Sequence, residues 1–546
     1  MSNVPNGGDV LVQVLRENGC EVAFGIVSVH NLPLVEAVDR DLRFVTVRHE
    51  AAAVNAADAY SRATGRLGCA ITSTGTGAGN AAGSMVEALS AGSRVLHVTG
   101  NIDSGYLGQA RGVIHETKDQ LGMLQAVSKQ ALQILSADAA PGVLRAAAAE
   151  AQALPAGPVS VEWPIDLQYA EHTLPIFGPV AAAEPPVAGE DEIAQAAALL
   201  GRARRPAIWA GGGGRGARAE LRVLAERLGA AVFTSNAGRG AIPEDHDLVI
   251  GNFAADPAGQ ELLQDADVLL SVGTHFRSNE TRSYKLLLPD AHVQVDVDKS
   301  ALGRSYPVTL GLHGEAAQTL AALTVALPGA PATETAWRER AGETRRIVRE
   351  KLVENIGPYA VICASLRDRL APGSPIARDV TIPSSQWGNR LLPILDPRTN
   401  IFPLGGGIGQ GLAMGIGASL ARPCVPTLVI AGDGGLAVHL GELITMAQER
   451  PWLVLVVFND RGYGVLRNMQ DRYMSRRSGV DLFTPDFGAL AQAVGAPYAR
   501  VTSADGFDEA FAAAVAVRGP AIVEVDVTAV GPTPAQFTPP VSIPGH

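Results

Sequence analysis

Cysteine is scarce: four residues in 546, Cys20, Cys69, Cys363 and Cys424, scattered and without a Cys-x-x-Cys pair. That excludes a disulfide framework, and the four read as small core residues in a reducing compartment. Net positive charge is missing too. The 44 Lys and Arg against 55 Asp and Glu leave a net charge of −11, which disfavours nucleic acid or an anionic membrane as partner. No uninterrupted apolar run reaches the about 18 residues that a membrane span needs. The start, MSNVPNGGDV, lacks a basic segment followed by an apolar run, so no secretory signal is expected. What is present is 47% hydrophobic and 18% charged residues, the balance of a well-packed globular protein. At about 150 residues per domain the length predicts three or four domains. A cytoplasmic enzyme or binding protein fits these bounds.

One stretch organises the rest. Thr427-Leu428-Val429-Ile430-Ala431 reads as a buried strand that stops at Gly432-Asp433-Gly434-Gly435. An amphipathic helix is expected from His439 to Glu449, and a second apolar strand, from Trp452 to Phe458, ends in Asn459-Asp460. This is a βαβ unit with polar groups where both strands end, the edge at which ligands bind in open parallel sheets. The chemistry suggested is a diphosphate held through a divalent metal. Glycines let backbone N–H groups approach phosphate oxygens, and a helix N-terminus adds partial positive charge. Oxygen ligands from two strand ends suit Mg²⁺; Asp433 and Asp460, 27 positions apart, are the candidates. The competing reading is a tight structural turn, because Gly-Asp-Gly is common in α/β proteins.

Strand and helix signals alternate through the first third. Short strands are expected at Val22–Ile26, Leu42–Val47, Cys69–Ser73, Arg94–Gly100 and Gly157–Glu162, with an Ala-rich helix from Ala51 to Thr64. The alternation predicts a doubly wound parallel sheet in an N-terminal domain over 1–178. Glu50 stands where a strand runs into the Ala-rich helix; by itself it reads as a first-turn glutamate favoured by the helix dipole. The run Ser73-Thr74-Gly75-Thr76-Gly77-Ala78-Gly79-Asn80 is a Gly-rich turn without a suitably placed ribose-binding acid, so it makes a weak dinucleotide fingerprint. His30 and His115 sit on loops, where imidazole is usually structural but can also pass protons near neutral pH.

A Pro/Ala linker, Ala181–Gly189, leads to a central α/β domain over 190–330 with strands at Pro206–Gly211, Ala231–Thr234, Val268–Val272 and Val293–Val297. Its run Gly211–Gly214 either holds a nucleotide such as FAD or ADP or permits a close turn, which is preferred. A third domain over 355–530 holds Asp379-Val380-Thr381, which would face a diphosphate. It also holds Gly405-Gly406-Gly407-Ile408-Gly409-Gln410-Gly411, which opens a small-residue helix through Ala418. The tail 531–546 is too Pro-rich for helix; it is either disordered or closes over the site.

Taken together, these motifs resemble those of thiamine-diphosphate-dependent enzymes, the family of acetolactate synthase, pyruvate oxidase, benzoylformate decarboxylase and benzaldehyde lyase. The family motif is Gly-Asp-Gly followed one crossover later by Asn-Asn; this chain has Asn459-Asp460 instead. The resemblance implies metal ligation by Asp433, Asp460 and the Gly462 carbonyl, with Asn459 as the less favoured ligand. It also implies cofactor contacts from Gly432, Gly434, Gly435, Tyr463, Gly464, Thr381 and Gly407, and an Ile408 that props the cofactor into a bent shape. Arg-His-Glu before an Ala-rich helix implies that Glu50 hydrogen-bonds the aminopyrimidine ring and promotes its imino tautomer. His30 lies where benzaldehyde lyase has a His, and His115 where that enzyme and acetolactate synthases have a Gln. Some aryl decarboxylases of the family carry a His where this chain has Ser73. Pro485-Asp486-Phe487, before a helix, also fits the family pattern.

The implied fold is three doubly wound α/β domains, for the pyrimidine, the centre and the diphosphate, with the outer two built alike. The implied cofactors are thiamine diphosphate and Mg²⁺; clear FAD-binding features are not found. The implied assembly is at least a homodimer, and a homotetramer as a dimer of dimers, with the glutamate of one subunit facing another's diphosphate site. The implied reaction is carbanion attack on a 2-oxo acid, loss of CO₂, and protonation or ligation to a second carbonyl. The alternatives are a 2-hydroxy-ketone or 2-hydroxyacyl-CoA lyase, an acetolactate synthase, and a cofactor-binding protein without its own activity.

Overall fold

The computed structural model describes residues 4–172, 174, 184–329, 332–541 and 543. Residues 181–183 of the expected linker, and 542 and 544–546 of the tail, lie outside them. Three six-stranded parallel sheets follow one another. The first holds β1 Val22–Gly25, β2 Arg43–Thr46, β3 Gly68–Thr72, β4 Val95–Asn101, β5 Gln130–Gln133 and β6 Val159–Pro164, in the order β2-β1-β3-β4-β6-β5. The second holds β7 Pro206–Ala210, β8 Ala231–Thr234, β9 Val249–Gly251, β10 Val268–Val272, β11 His292–Asp296 and β12 Leu310–His313, ordered β12-β11-β10-β7-β8-β9. The third holds β13 Ile376–Arg378, β14 Asn400–Ile401, β15 Thr427–Gly432, β16 Leu453–Asn459, β17 Tyr498–Val501 and β18 Ala521–Asp526, ordered β14-β13-β15-β16-β18-β17. Position by position, the first and third orders are the same, so the outer domains are alike in topology.

The central strands read as continuous apolar runs because helices cover both faces of each sheet. All six residues of β15 are buried, as are six of the seven in β16. Edge strands β5, β9, β12, β14 and β17 have two to four residues each, too few for a period to show in the sequence. They, and the inner strands β13 and β18, go beyond the strands expected from sequence. Among the described residues no helix is long and apolar enough to cross a membrane.

Two Gly-rich segments expected as turns are partly helical. Gly434 and Gly435 lie within a helix, Asp433–Val438, and the next helix starts at Glu442, three residues after the expected His439. In the same way a helix begins at Thr76, inside the segment read as a turn over 73–80. The first begins directly at the C-terminal end of β15 and the second after three further residues beyond β3, and the first N–H groups of a helix have no partner within it. Of the cysteines, Cys20, Cys69 and Cys363 are buried as expected, while Cys424 is exposed.

The outer domains meet through helices Glu50–Thr64 and Gly411–Ala421. A Cβ on Gly417 would run into the Ala56 carbonyl, and alanines fill much of the facing helix. Small side chains on both partners permit this close approach. A buried ion pair adds to the contact. Arg62 Nη2 lies 2.6 Å from Asp58 Oδ2, and Arg62 Nη1 donates to the Phe402 carbonyl in the third domain at 2.7 Å.

Candidate active site

The ends of β15 and β16 bring two carboxylates together. Asp433 is the first residue of its helix and is buried; its side chain accepts the N–H of Asp460 at 3.3 Å and of Gly462 at 2.8 Å. Burial raises the Asp433 pKa, and it pushes Asp460 up to about 7, with the facing Asp433 charge adding to the rise. Arg467, 3.7 Å from Asp460, only partly offsets this. Two facing acids at neighbouring strand ends, one buried and one half-buried, make an arrangement that a divalent cation would neutralise. Asn459 is turned away: its amide donates to Glu524 at 2.8 Å and its oxygen accepts the Arg461 N–H. Among the described residues no group of three His, Cys, Asp or Glu is placed for a metal. The expected ligand set has two carboxylates, its third member being the backbone carbonyl of Gly462.

Glycine is required around this pair. A Cβ on Gly464 would collide with the Asp460 carboxylate, one on Gly434 would lie 2.8 Å from the Tyr463 ring, and one on Gly432 would lie 2.9 Å from Thr381 Oγ1. Thus Thr381, Gly432, Asp433, Gly434, Asp460, Gly462, Tyr463 and Gly464 share one neighbourhood. Gly435 joins it through Asp379, whose Oδ2 would lie 3.3 Å from a Cβ there.

Asp379 organises the neighbouring loop 405–411. It is fully buried, and it accepts N–H groups from Gly409 and Gly411 as well as from Val380. Burial pushes it up to about 6 despite those bonds. His439 Nδ1 lies 2.9 Å from the Gly409 carbonyl. Ile408, 38% exposed, stands out from this loop. Gln410 Oε1 is buried with no hydrogen-bond partner.

The corresponding edge of the first sheet carries the other expected residues. Glu50 opens its helix, and Asn80 donates to its Oε2 at 3.0 Å. Gly77 leaves room for it, since a Cβ there would lie 3.0 Å from Glu50 Oε1 and 2.8 Å from Ser73 Cβ. Ser73 Oγ is buried without a partner. His30 and His115, 85 residues apart in sequence, face each other with Nδ1 atoms 3.4 Å apart. Burial, and then His115, lower the His30 pKa, so its imidazole is neutral at pH 7. Gly75 and Gly100 permit this pairing: a Cβ on Gly75 would strike the His115 carbonyl, and one on Gly100 the His30 carbonyl. Beneath the loop, Gln120 accepts from Thr74 Oγ1 and the Gly75 N–H, and donates to Glu162 at 3.0 Å. Burial pushes Glu162 up to about 7.

A separate cavity of about 640 Å³ lies where the three domains meet. The run Gly211–Gly214 makes a close turn, with a would-be Gly213 Cβ only 2.8 Å from Gly273 Cα, and Gly212 and Gly213 also line the cavity. Arg94, Arg215 and Arg398 line it, as do Asp296 and Asp298. Asp296 Oδ2 is buried without a partner, and burial pushes that carboxyl up to about 6. Arginines and aspartates lining one cavity suit phosphates joined to a ribose.

Gln120, Glu162 and Asn80 adjoin the expected residues and were not legible as site residues in the sequence. Each acts through a partner far along the chain, so no local spacing marks it. Asp379 carried a signal, lying two residues before Thr381 at a strand end.

Comparison with known proteins follows the same three-part division. Models for the thiamine pyrophosphate enzyme N-terminal TPP binding domain, central domain and C-terminal TPP binding domain match residues 5–123, 193–323 and 383–525. A Pseudomonas aeruginosa protein named "Probable 2-ketoarginine decarboxylase" is 31% identical over 529 residues, covering 95% of this chain and 93% of its own. A Methanocaldococcus jannaschii protein named "Probable acetolactate synthase large subunit" is 28% identical over 545 residues, covering 95% and 91%. The acetolactate synthase isozyme 2 large subunit of Escherichia coli is 27% identical over 542 residues, covering 96% and 95%.

Proposed function

Because this chain belongs to the thiamine pyrophosphate enzyme family, we propose that it decarboxylates a 2-oxo acid and either protonates the remaining acyl unit or joins it to a second carbonyl. The observation that carries this reading is the facing pair of buried Asp433 and half-buried Asp460, set among glycines where a side chain would collide with the site. The residues fit the cofactor. A facing carboxylate pair suits Mg²⁺, and the unpartnered Ser73 Oγ beside Glu50 and Gln410 Oε1 beside Gly407 suit polar groups of a ligand. Asp433, Asp460 and the Gly462 carbonyl would hold the metal; N–H groups at Gly434 and Gly435, with Thr381, Tyr463 and Gly464, would surround the diphosphate. Glu50 would hold the aminopyrimidine, and Gly407 and Ile408 would contact the cofactor. When bound, thiamine diphosphate supplies a cationic thiazolium that accepts the electron pair released as CO₂ leaves.

The chain's own groups do the remaining work. Glu50 holds and returns a proton at its carboxyl oxygen, with Oε2 already oriented by Asn80. Neutral His30, in contact with His115, is set to pass a proton between a substrate oxygen and the second imidazole. Val27, Val29, Ile114, Ile408 and Val438 are exposed apolar residues. They support a homodimer, or a dimer of such dimers, in which a second copy covers them and shares the site.

The test is a panel of 2-oxo acids that includes pyruvate and 2-ketoarginine, scored for CO₂, aldehyde and ligated product. CO₂ release from at least one of them is expected. Aldehyde formed only from 2-hydroxy ketones or acyl-CoA adducts, with no CO₂ from any 2-oxo acid, would establish the lyase instead.

The three-domain cavity supports a second ligand there, ADP or a dinucleotide such as FAD. Purified protein should then show flavin absorbance, or an upward thermal shift with added ADP. Neither signal, at ligand concentrations up to the millimolar range, would leave the glycine run as a turn alone.

A further inference from the structure

Three side chains from three elements grip the loop 405–411, and one of them comes from the first domain. Glu87 lies on helix Thr76–Ala91 and is 3% exposed. Its two oxygens accept the N–H groups of Gly405 and Gly407, each at 2.6 Å, across a separation of 318 and 320 residues. A Cβ on Gly405 would lie 2.8 Å from this carboxylate and one on Gly407 2.9 Å from it. Acid and loop are thus fitted to each other, with room for glycine only. Such bonds from a carboxylate are short and strong.

The loop needs an external hold. Gly406 and Gly409 have φ of +90° and +81°, a region in which glycine is free and the backbone does not fix itself. Asp379 and His439 secure the Gly409–Gly411 end. Glu87 secures the other, immediately before Ile408. The same helix carries Asn80 seven positions earlier, hence on the same face, and Asn80 holds Glu50. One rigid helix therefore touches the glutamate at one end and the Ile408 loop two turns further on.

We propose that Glu87 is a positioning residue: through the Gly405 and Gly407 N–H groups it sets the backbone that presents Ile408 to the cofactor. This rests on the thiamine reading above. Glu87 is buried and both its oxygens are taken by the Gly405 and Gly407 N–H groups, so its effect passes through the loop.

The test uses the full-length protein and Glu87→Gln. The amide keeps the size but accepts with one oxygen and turns an N–H group toward the other donor. Calorimetry with thiamine diphosphate and Mg²⁺ should show affinity lowered by about tenfold or more. In the cofactor-free protein, amide hydrogen exchange over residues 400–412 should quicken while exchange in the central sheet does not. A double-mutant cycle with Ile408→Ala separates positioning from mere support. If Glu87 acts through Ile408, Glu87→Gln costs no further affinity once Ile408 is gone. Independent, multiplying losses would overturn the proposal, as would wild-type affinity in Glu87→Gln. Should Glu87→Gln fail to fold, Glu87→Asp, which keeps the charge and shortens the reach, enters the same cycle. A wild-type protein that takes up no cofactor would remove the thiamine reading and this proposal with it. A wild type that binds beside an equally tight Glu87→Gln removes only the role of Glu87.

Discussion

Glu50→Gln should lower turnover by about three to four orders of magnitude, the upper range for loss of a general acid–base group. The substitution is conservative in every respect except charge and proton. Glutamine keeps the length and the position at the helix start, and its oxygen still accepts from Asn80, which lies 3.0 Å away. The gap left by Gly77 accommodates the amide as it does the carboxylate. The fold therefore has no reason to change, and unfolding temperature should match the wild type. What disappears is a group able to hold a proton and return it. Single-turnover CO₂ release against calorimetric cofactor uptake separates the two effects, and turnover should fall far more than uptake. Full activity in this variant would reject the assignment of Glu50 and, with it, the proposed chemistry.

Asp433→Asn should reduce uptake of thiamine diphosphate with Mg²⁺ by about a hundredfold or more, because the metal loses a charged oxygen ligand for which a neutral amide is a weak substitute. The amide also satisfies only one of the two N–H groups, Asp460 and Gly462, that now converge on the carboxylate. The cofactor-free protein responds in the opposite sense. Burial raises both pKa values in the fold, and the Asp433 charge adds to the rise at Asp460, so ionisation of the pair opposes folding at neutral pH. Removing one charge should leave the cofactor-free melting temperature unchanged or higher. Calorimetry across a Mg²⁺ series and a thermal melt without cofactor test both halves. Unchanged uptake would exclude Asp433 as a ligand; a large drop in the cofactor-free melt would mean that the fold, rather than the site, had been damaged.

Much of this was legible in order along the chain. The apolar run before Gly432, the second run ending at Asn459-Asp460 and the Arg-His-Glu step before an Ala-rich helix each combine a local period with a local break. The strands expected there match β15, β16 and β2 within one or two residues. The two Gly-rich segments were less legible, since glycine weakens a helix without forbidding it. Gly434, Gly435, Gly77 and Gly79 became helical because the chain leaving a parallel strand must cross back over the sheet. Apart from β2, the short edge strands were not legible: at two to four residues they show no alternation, and pairing with a neighbour defines them.

By itself, the sequence determined where the long central strands end, and so which carboxylates lie at their C-terminal edge. Those features depend on side chains within a turn or two of one another. Only the tertiary structure decided that His30 meets His115, that Asp460 rather than Asn459 faces Asp433, and that Glu87 reaches Gly405 and Gly407 from another domain. Hydrogen bonds and burial act over a few ångströms of space, and residues 85 to 320 positions apart are brought to that distance only by the packing of whole domains.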